Sequence, residues 1–123
     1  MSLTLKDMMA AENSEVERID TARAREILAN GGVLIDLRDG AELQQTGKAQ
    51  GAKHISRGML EFKAAPDSPA YDPELRLDHP VVLHCASGGR AALAGKLLKD
   101  LGYGEVYNLG GFKDWVDGGG ATD

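Results

Sequence analysis

Short apolar runs alternate with amphipathic segments along almost the whole chain, and that alternation narrows the fold more than any other feature. It is the pattern of a mainly parallel sheet with helices on both faces, an α/β class. Val33-Leu34-Ile35-Asp36-Leu37 reads as the clearest buried strand of the first half, and Pro80-Val81-Val82-Leu83 as its counterpart in the second. Val16 to Ile19, Ala52 to Ile55 and Val106 to Leu109 read as shorter strands. Between the strands, Asp20 or Thr21 caps a helix with Ala24, Ile27 and Leu28 on one face, ended by Asn30-Gly31-Gly32. Asp39-Gly40-Ala41-Glu42 resembles a capping box and opens a short helix that stops at Gly47. Leu93, Ala94, Leu97, Leu98 and Leu101 form the stripe of a longer helix ended by Gly102. Gly110-Gly111 leads to a short helix with Phe112, Trp115 and Val116 on one face, where Phe112 and Trp115 read as core.

Outside this frame, Leu5, Met8 and Met9 lie at helical spacing and predict a docked N-terminal helix over 4–11. All four prolines (Pro66, Pro69, Pro73 and Pro80) fall after Phe62, where they forbid a long helix and predict an extended surface connection, with some helix able to fit within 58–64. The chain has 123 residues, enough for one core that removes roughly two thirds of the unfolded surface from water. The expected organisation is a single domain over 1–123, with 1–15 as an N-terminal helical extension.

Composition excludes several function classes. Hydrophobic residues make up 42% and charged residues 27%, which suggests neither disorder nor a membrane protein. No apolar run approaches the roughly 20 residues that cross a bilayer. The N-terminal MSLTLKDMMAAENSEVE mixes acidic and basic residues and lacks a continuous apolar stretch, so it is not a signal peptide and a cytoplasmic protein is expected. A net charge of −5 with scattered Lys and Arg argues against a nucleic-acid partner, which needs a concentrated basic face. One cysteine allows no intrachain disulfide and no Cys-rich zinc site, so redox chemistry at Cys85 must involve a second molecule.

That cysteine stands where an apolar strand turns through two glycines into a helix, in His84-Cys85-Ala86-Ser87-Gly88-Gly89-Arg90. A thiol at a helix N-terminus faces unpaired backbone N–H groups and the positive end of the helix dipole, both of which favour thiolate. Arg90 adds a fixed charge, and the loop's N–H groups form an anion-binding concavity. A buried structural cysteine requires none of this, nor a place at the carboxyl end of a strand where open α/β sheets bind ligands.

These residues resemble the rhodanese family of sulfurtransferases over nearly the whole chain. The resemblance is carried by Asp36-Leu37-Arg38 at a strand end, Gly47 to Gly51-Ala52, Cys85 to Arg90, and Gly110-Gly111 with Trp115, in the family's order. Lys48 stands where the family usually has histidine, and Ser56 where a proline commonly follows the isoleucine matched by Ile55. The resemblance implies a doubly wound domain in which the Cys85 thiolate takes a sulfane sulfur from a small anionic donor such as thiosulfate. A thiol, cyanide or protein-thiol acceptor then removes it. No metal or organic cofactor is implied, and covalent catalysis of this kind predicts ping-pong kinetics. Phosphatases of similar scaffold carry five residues between cysteine and arginine, whereas Ala86, Ser87, Gly88 and Gly89 make only four here, a ring better suited to one sulfur. The alternatives are a sulfur carrier or interaction module without turnover and, less favoured, a phosphatase or arsenate reductase.

The candidate substrate cradle is Ala86, Ser87, Gly88, Gly89 and Arg90. Arg90 either pairs with donor oxygens or clamps the loop through a carboxylate such as Asp36. Ser87 either donates to the persulfide or turns the loop. Arg57 is a candidate anion attractor or a solvated surface arginine, and Asp36 and Arg38 are supporting residues. His84 alternates with Cys85 and should face the other side of the sheet, so no Cys–His pair is expected. His54 is expected to pack near the third short strand and His79 to lie in the proline-rich connection, with no metal-binding spacing among the three.

Overall fold

A computed structural model describes residues 2–123. Its elements in chain order are α1 (Leu5–Glu15), β1 (Glu17–Arg18), α2 (Thr21–Ala29), β2 (Val33–Asp36), α3 (Gly40–Thr46), β3 (Lys53–His54), a 3-10 turn (Arg57–Met59), α4 (Leu60–Ala64), β4 (Val81–Cys85), α5 (Gly89–Asp100), β5 (Val106–Gly111) and α6 (Phe112–Asp117). The five strands form one sheet in the order β1-β5-β4-β2-β3, and every adjacent pair is parallel. Parallel strands bring all their carboxyl ends to one edge, so the loops after β2, β3, β4 and β5 gather there.

Alternation along the strands builds a core on each face. Ile35, Leu37, Val81, Leu83 and Cys85 pack with Leu60, Ala91, Ala94 and Leu98, beneath α4 and α5. Leu34, Val82 and Leu109 pack with Ala24, Ile27 and Trp115, beneath α2 and α6. Asp20 caps α2 by accepting from the Arg23 N–H at 2.8 Å, and Glu42 Oε1 accepts from the Asp39 N–H at 3.1 Å at the start of α3.

Several expectations shift. The α5 face against the sheet is made by Ala91, Ala94, Gly95 and Leu98, while Leu93, Leu97 and Leu101 are half-buried. The cause is close approach: a Cβ on Gly95 would lie 2.7 Å from a Val16 methyl. The N-terminal helix packs on α5 and runs to Glu15, but Leu5 and Met8 are exposed and Met9 is half-buried. Of the last helix only Trp115 is core; Val116 is exposed and Phe112 half-buried. Strand β2 ends at Asp36, one residue earlier than read, and β5 continues to Gly111, two residues later.

The proline-rich connection is tied down electrostatically, because Lys53 Nζ meets Asp72 at 2.6 Å and Glu74 at 3.2 Å. Lys48, a departure from the family pattern, pairs with Asp123 at 2.9 Å where the chain's last residues lie beside Ala49 in an antiparallel bridge. Ser56, the other departure, holds φ −60° and ψ 148°, a conformation proline also adopts.

Candidate active site at the Cys85 loop

Cys85 is the last residue of β4, and its backbone stands in register with Gly111 of β5. Just before it the β4–β5 register shifts, between Leu83 and His84, and Gly110 takes a φ of +101°. Bulges of this kind re-aim side chains at the ends of strands. Here the irregularity brings a Gly-Gly surface beneath the loop. A Cβ on Gly111 would fall 2.1 Å from the Ala86 carbonyl oxygen, so no other residue admits this approach of loop to strand.

The loop turns tightly around the sulfur. Cys85 is 1% exposed, and its Sγ accepts the Gly88 N–H at 3.0 Å. Gly88, with φ +102°, is the N-cap of α5, and its carbonyl accepts the Ala92 N–H at 3.0 Å, the bond that opens the helix. The N–H groups of the first turn, from Gly89 onward, therefore have no partner within the helix and favour negative charge in front of them. Ala86 and Ser87 are exposed at the rim.

Arg90 is a clamp in this structure, with a different partner from the one expected. Its guanidinium makes two bonds to Glu42 of α3, Nη1 to Oε1 at 2.8 Å and Nη2 to Oε2 at 3.0 Å. Asp36 is unavailable because Arg38 already occupies it. The Arg90 hydrogen bonds, followed by the Asp39 N–H, hold the Glu42 carboxyl down to about 2. Glu42 in turn raises the Arg90 pKa against the opposing effect of burial, with Cys85 a smaller contributor in the same direction.

Asp36 and Arg38 form a fully buried pair on the face opposite Cys85. Arg38 Nη2 is 2.8 Å from Asp36 Oδ2 and Nε 3.1 Å from Oδ1, while the Arg38 N–H donates to Oδ1 at 3.0 Å. Burial alone would raise the Asp36 carboxyl, but the Arg38 bonds outweigh it and hold the group below the usual range. Arg38 also bonds Thr46 Oγ1 at 2.7 Å and the Gly47 carbonyl at 3.0 Å, and its guanidinium lies 4.5 Å from the Phe112 ring centre. The pair thus joins β2 to the C-terminal end of α3 and to α6.

His84 faces away from Cys85, as alternation requires, with Nε2 3.6 Å from Asp36 Oδ2. Neither ring nitrogen is hydrogen-bonded among the described residues. Burial lowers its pKa, with Asp36 opposing, so the ring is neutral near pH 7. His54 is exposed on β3, its Nε2 2.6 Å from the Arg38 carbonyl oxygen, and His79 lies in the connection. Arg57 stands at the same carboxyl edge of the sheet, its N–H bonded to the Leu37 carbonyl, but its guanidinium pairs with Glu61 at 2.9 Å. Among the described residues no three His, Cys, Asp or Glu side chains converge as a metal site.

Four residues that contribute to the site, Asn108, Arg18, Asp114 and Glu42, escape a reading of the sequence. Asn108, buried on β5, donates to the Gly88 carbonyl at 3.2 Å and accepts from the Gly110 N–H at 2.8 Å, pinning loop to strand. A polar residue inside Val106-Tyr107-Asn108-Leu109 is the signal that could have marked it. Arg18 of β1 pairs with Asp114 at 3.4 Å over Gly110, and Asp114 accepts the Gly111 N–H at 2.7 Å. Glu42 was legible only as a cap, because its second role depends on a residue 48 positions away.

A family model, the rhodanese-like domain, matches residues 20–117. The chain belongs to the rhodanese-like domain family. This rhodanese-like chain is 33% identical over 104 residues to a thiosulfate sulfurtransferase GlpE of Ectopseudomonas mendocina, covering 83% of this chain and 86% of the relative. Among solved structures it is similar to a polysulfide-sulfur transferase homodimer from Wolinella succinogenes, with TM-score 0.76 and 33% identity over 96% of this chain and 85% of that one. It is also similar to a Rhodopseudomonas palustris protein of unknown function, described as a possible tyrosine phosphatase, with TM-score 0.90 and 37% identity over 100% and 96% of the two chains. No helix among the described residues is long and apolar enough to cross a membrane.

Proposed function

We propose that this rhodanese-like chain is a thiosulfate sulfurtransferase that carries sulfur on Cys85. The observation that supports it most is the Gly88 N–H donating to Cys85 Sγ at 3.0 Å inside a four-residue loop at the start of α5. In the first step the Cys85 thiolate attacks the sulfane sulfur of thiosulfate, the S–S bond of the donor breaks, and sulfite leaves with the electron pair. The N–H groups of 86–90 hold the resulting persulfide anion where the thiolate stood. In the second step an acceptor takes the outer sulfur and the electron pair of the broken bond returns to Sγ. No proton need be taken from Cys85, so the absence of an adjacent histidine base is consistent with this chemistry.

In this reading residues 1–123 act as one cytoplasmic unit with 1–15 as an extension on α5. Asp36, Arg38 and Glu42 with Arg90 hold the loop, and Arg57 adds positive charge near it. Steady-state rates with thiosulfate and cyanide test the proposal: parallel double-reciprocal lines are expected, and no thiocyanate formation overturns it. One round of sulfur delivery without turnover would favour the carrier instead. The neighbour described as a possible tyrosine phosphatase makes aryl phosphate hydrolysis the second assay. The four-residue ring predicts none.

A further inference from the structure

Beside the Cys85 loop a groove of about 260 Å³ opens between α3 and α6, lined by Ala86, Phe112, Lys113, Gln45, Thr46 and the Arg90-bound carboxylate Glu42, with Arg38 at its floor. Ala86 adjoins Cys85, so a molecule seated in this groove reaches the rim of the catalytic loop. The volume lies below the roughly 300–1,000 Å³ of drug-sized sites and suits a small reactant. Its floor is rigid: the Phe112 ring lies over the Arg38 guanidinium, which is itself fixed by Asp36, Thr46 and Gly47. Charge in the groove is unevenly committed. Arg38 is engaged with Asp36, and Arg90 behind Glu42 is engaged at both of its terminal nitrogens. Lys113 is 88% exposed and among the described residues meets only Asp117, at 3.4 Å, an exposed pair that exchanges readily for another anion.

We propose that this groove is the acceptor site and takes a short thiol bearing a carboxylate, its carbon chain on Phe112 and its carboxylate on Lys113. The inference rests on Cys85 being the sulfur carrier. The acceptor sulfur bonds to the outer sulfur of the Cys85 persulfide, and the bond from that sulfur to Sγ breaks with its electron pair left on Sγ. The thiol proton ends on the organic persulfide product. No external oxidant or reductant enters.

The test compares kcat/KM for 3-mercaptopropionate with that for 2-mercaptoethanol, thiosulfate being the donor in both. Lys113→Gln is expected to lower this ratio about three- to fivefold, the scale of one exposed ion pair, while Lys113→Arg preserves it. Added salt should lower the wild-type ratio in the same direction. Phe112→Leu is expected to raise KM for both thiols. A ratio unchanged in Lys113→Gln, or unchanged thiol KM values in Phe112→Leu, overturns the acceptor site while the thiosulfate–cyanide reaction still runs. Loss of that reaction in the wild-type protein would instead remove the sulfurtransferase reading on which the site depends.

Discussion

At the scale of single residues, the site is held by charges that do not touch the sulfur. Glu42 is the clearest case, since one carboxylate both receives the Asp39 N–H and grips Arg90. In the folded chain its pKa of about 2 lies below the ordinary glutamate value of 4.5. The stability it contributes is therefore fully present above about pH 4.5 and is lost as pH falls toward 2. Both side chains are about one third exposed, so we expect Glu42→Gln to cost on the order of 1 kcal/mol at pH 7. Urea unfolding should show that deficit shrinking as pH is lowered through this window, and a deficit independent of pH would contradict the assignment. Ser56→Pro tests a different residue property. The backbone already has a proline-compatible φ, and restricting the unfolded chain there should stabilise by about 0.5 kcal/mol in the same measurement.

At the scale of elements, the Cys85 loop is positioned by β5 as much as by its own helix. Asn108 satisfies the Gly88 carbonyl and the Gly110 N–H, two buried backbone groups on different elements. Asn108→Leu takes the side-chain acceptor from the Gly110 N–H and leaves the Gly88 carbonyl with its Ala92 bond alone, and we expect a loss of about 2 kcal/mol together with slower sulfur loading, read by thermal unfolding and by single-turnover kinetics. Equal stability and equal loading would show that the loop holds itself. The strands, the capped helices and the strand-to-helix turn at Cys85 were legible because each is written in local spacing: alternation, capping residues and Gly-Gly. The partner of Arg90 was not legible. It depends on α3 and α5 meeting across the carboxyl edge of the sheet, and Asp36, the nearer acid in the motif, was already consumed by Arg38 two residues on. The inward stripe of α5 was legible in Ala94, Leu97, Leu98 and Leu101, which lie in or against the core, but not in Ala91 and Gly95, for a related reason. Large leucines marked a face, but the distance to Val16 selects the alanines and Gly95 for the tightest contact.

At the scale of the whole molecule, an all-parallel sheet places every loop of consequence at one edge and keeps a hydrophobic core on each side of it. That arrangement separates two tasks. The face carrying Cys85 presents sulfur to the N-terminus of α5, while the opposite face carries the buried His84, Asp36 and Arg38 group that braces β2, α3 and α6. Removal of the sulfur should therefore leave the frame intact: Cys85→Ser changes one buried atom, and its unfolding midpoint is expected to stay near that of the wild-type chain. The most direct test of the central claim is intact mass after incubation with thiosulfate and removal of the donor. Wild-type protein should gain the mass of one sulfur, lost again on adding cyanide, and folded Cys85→Ser should gain none. No added sulfur on the wild-type chain, or equal addition to the serine variant, would contradict the account.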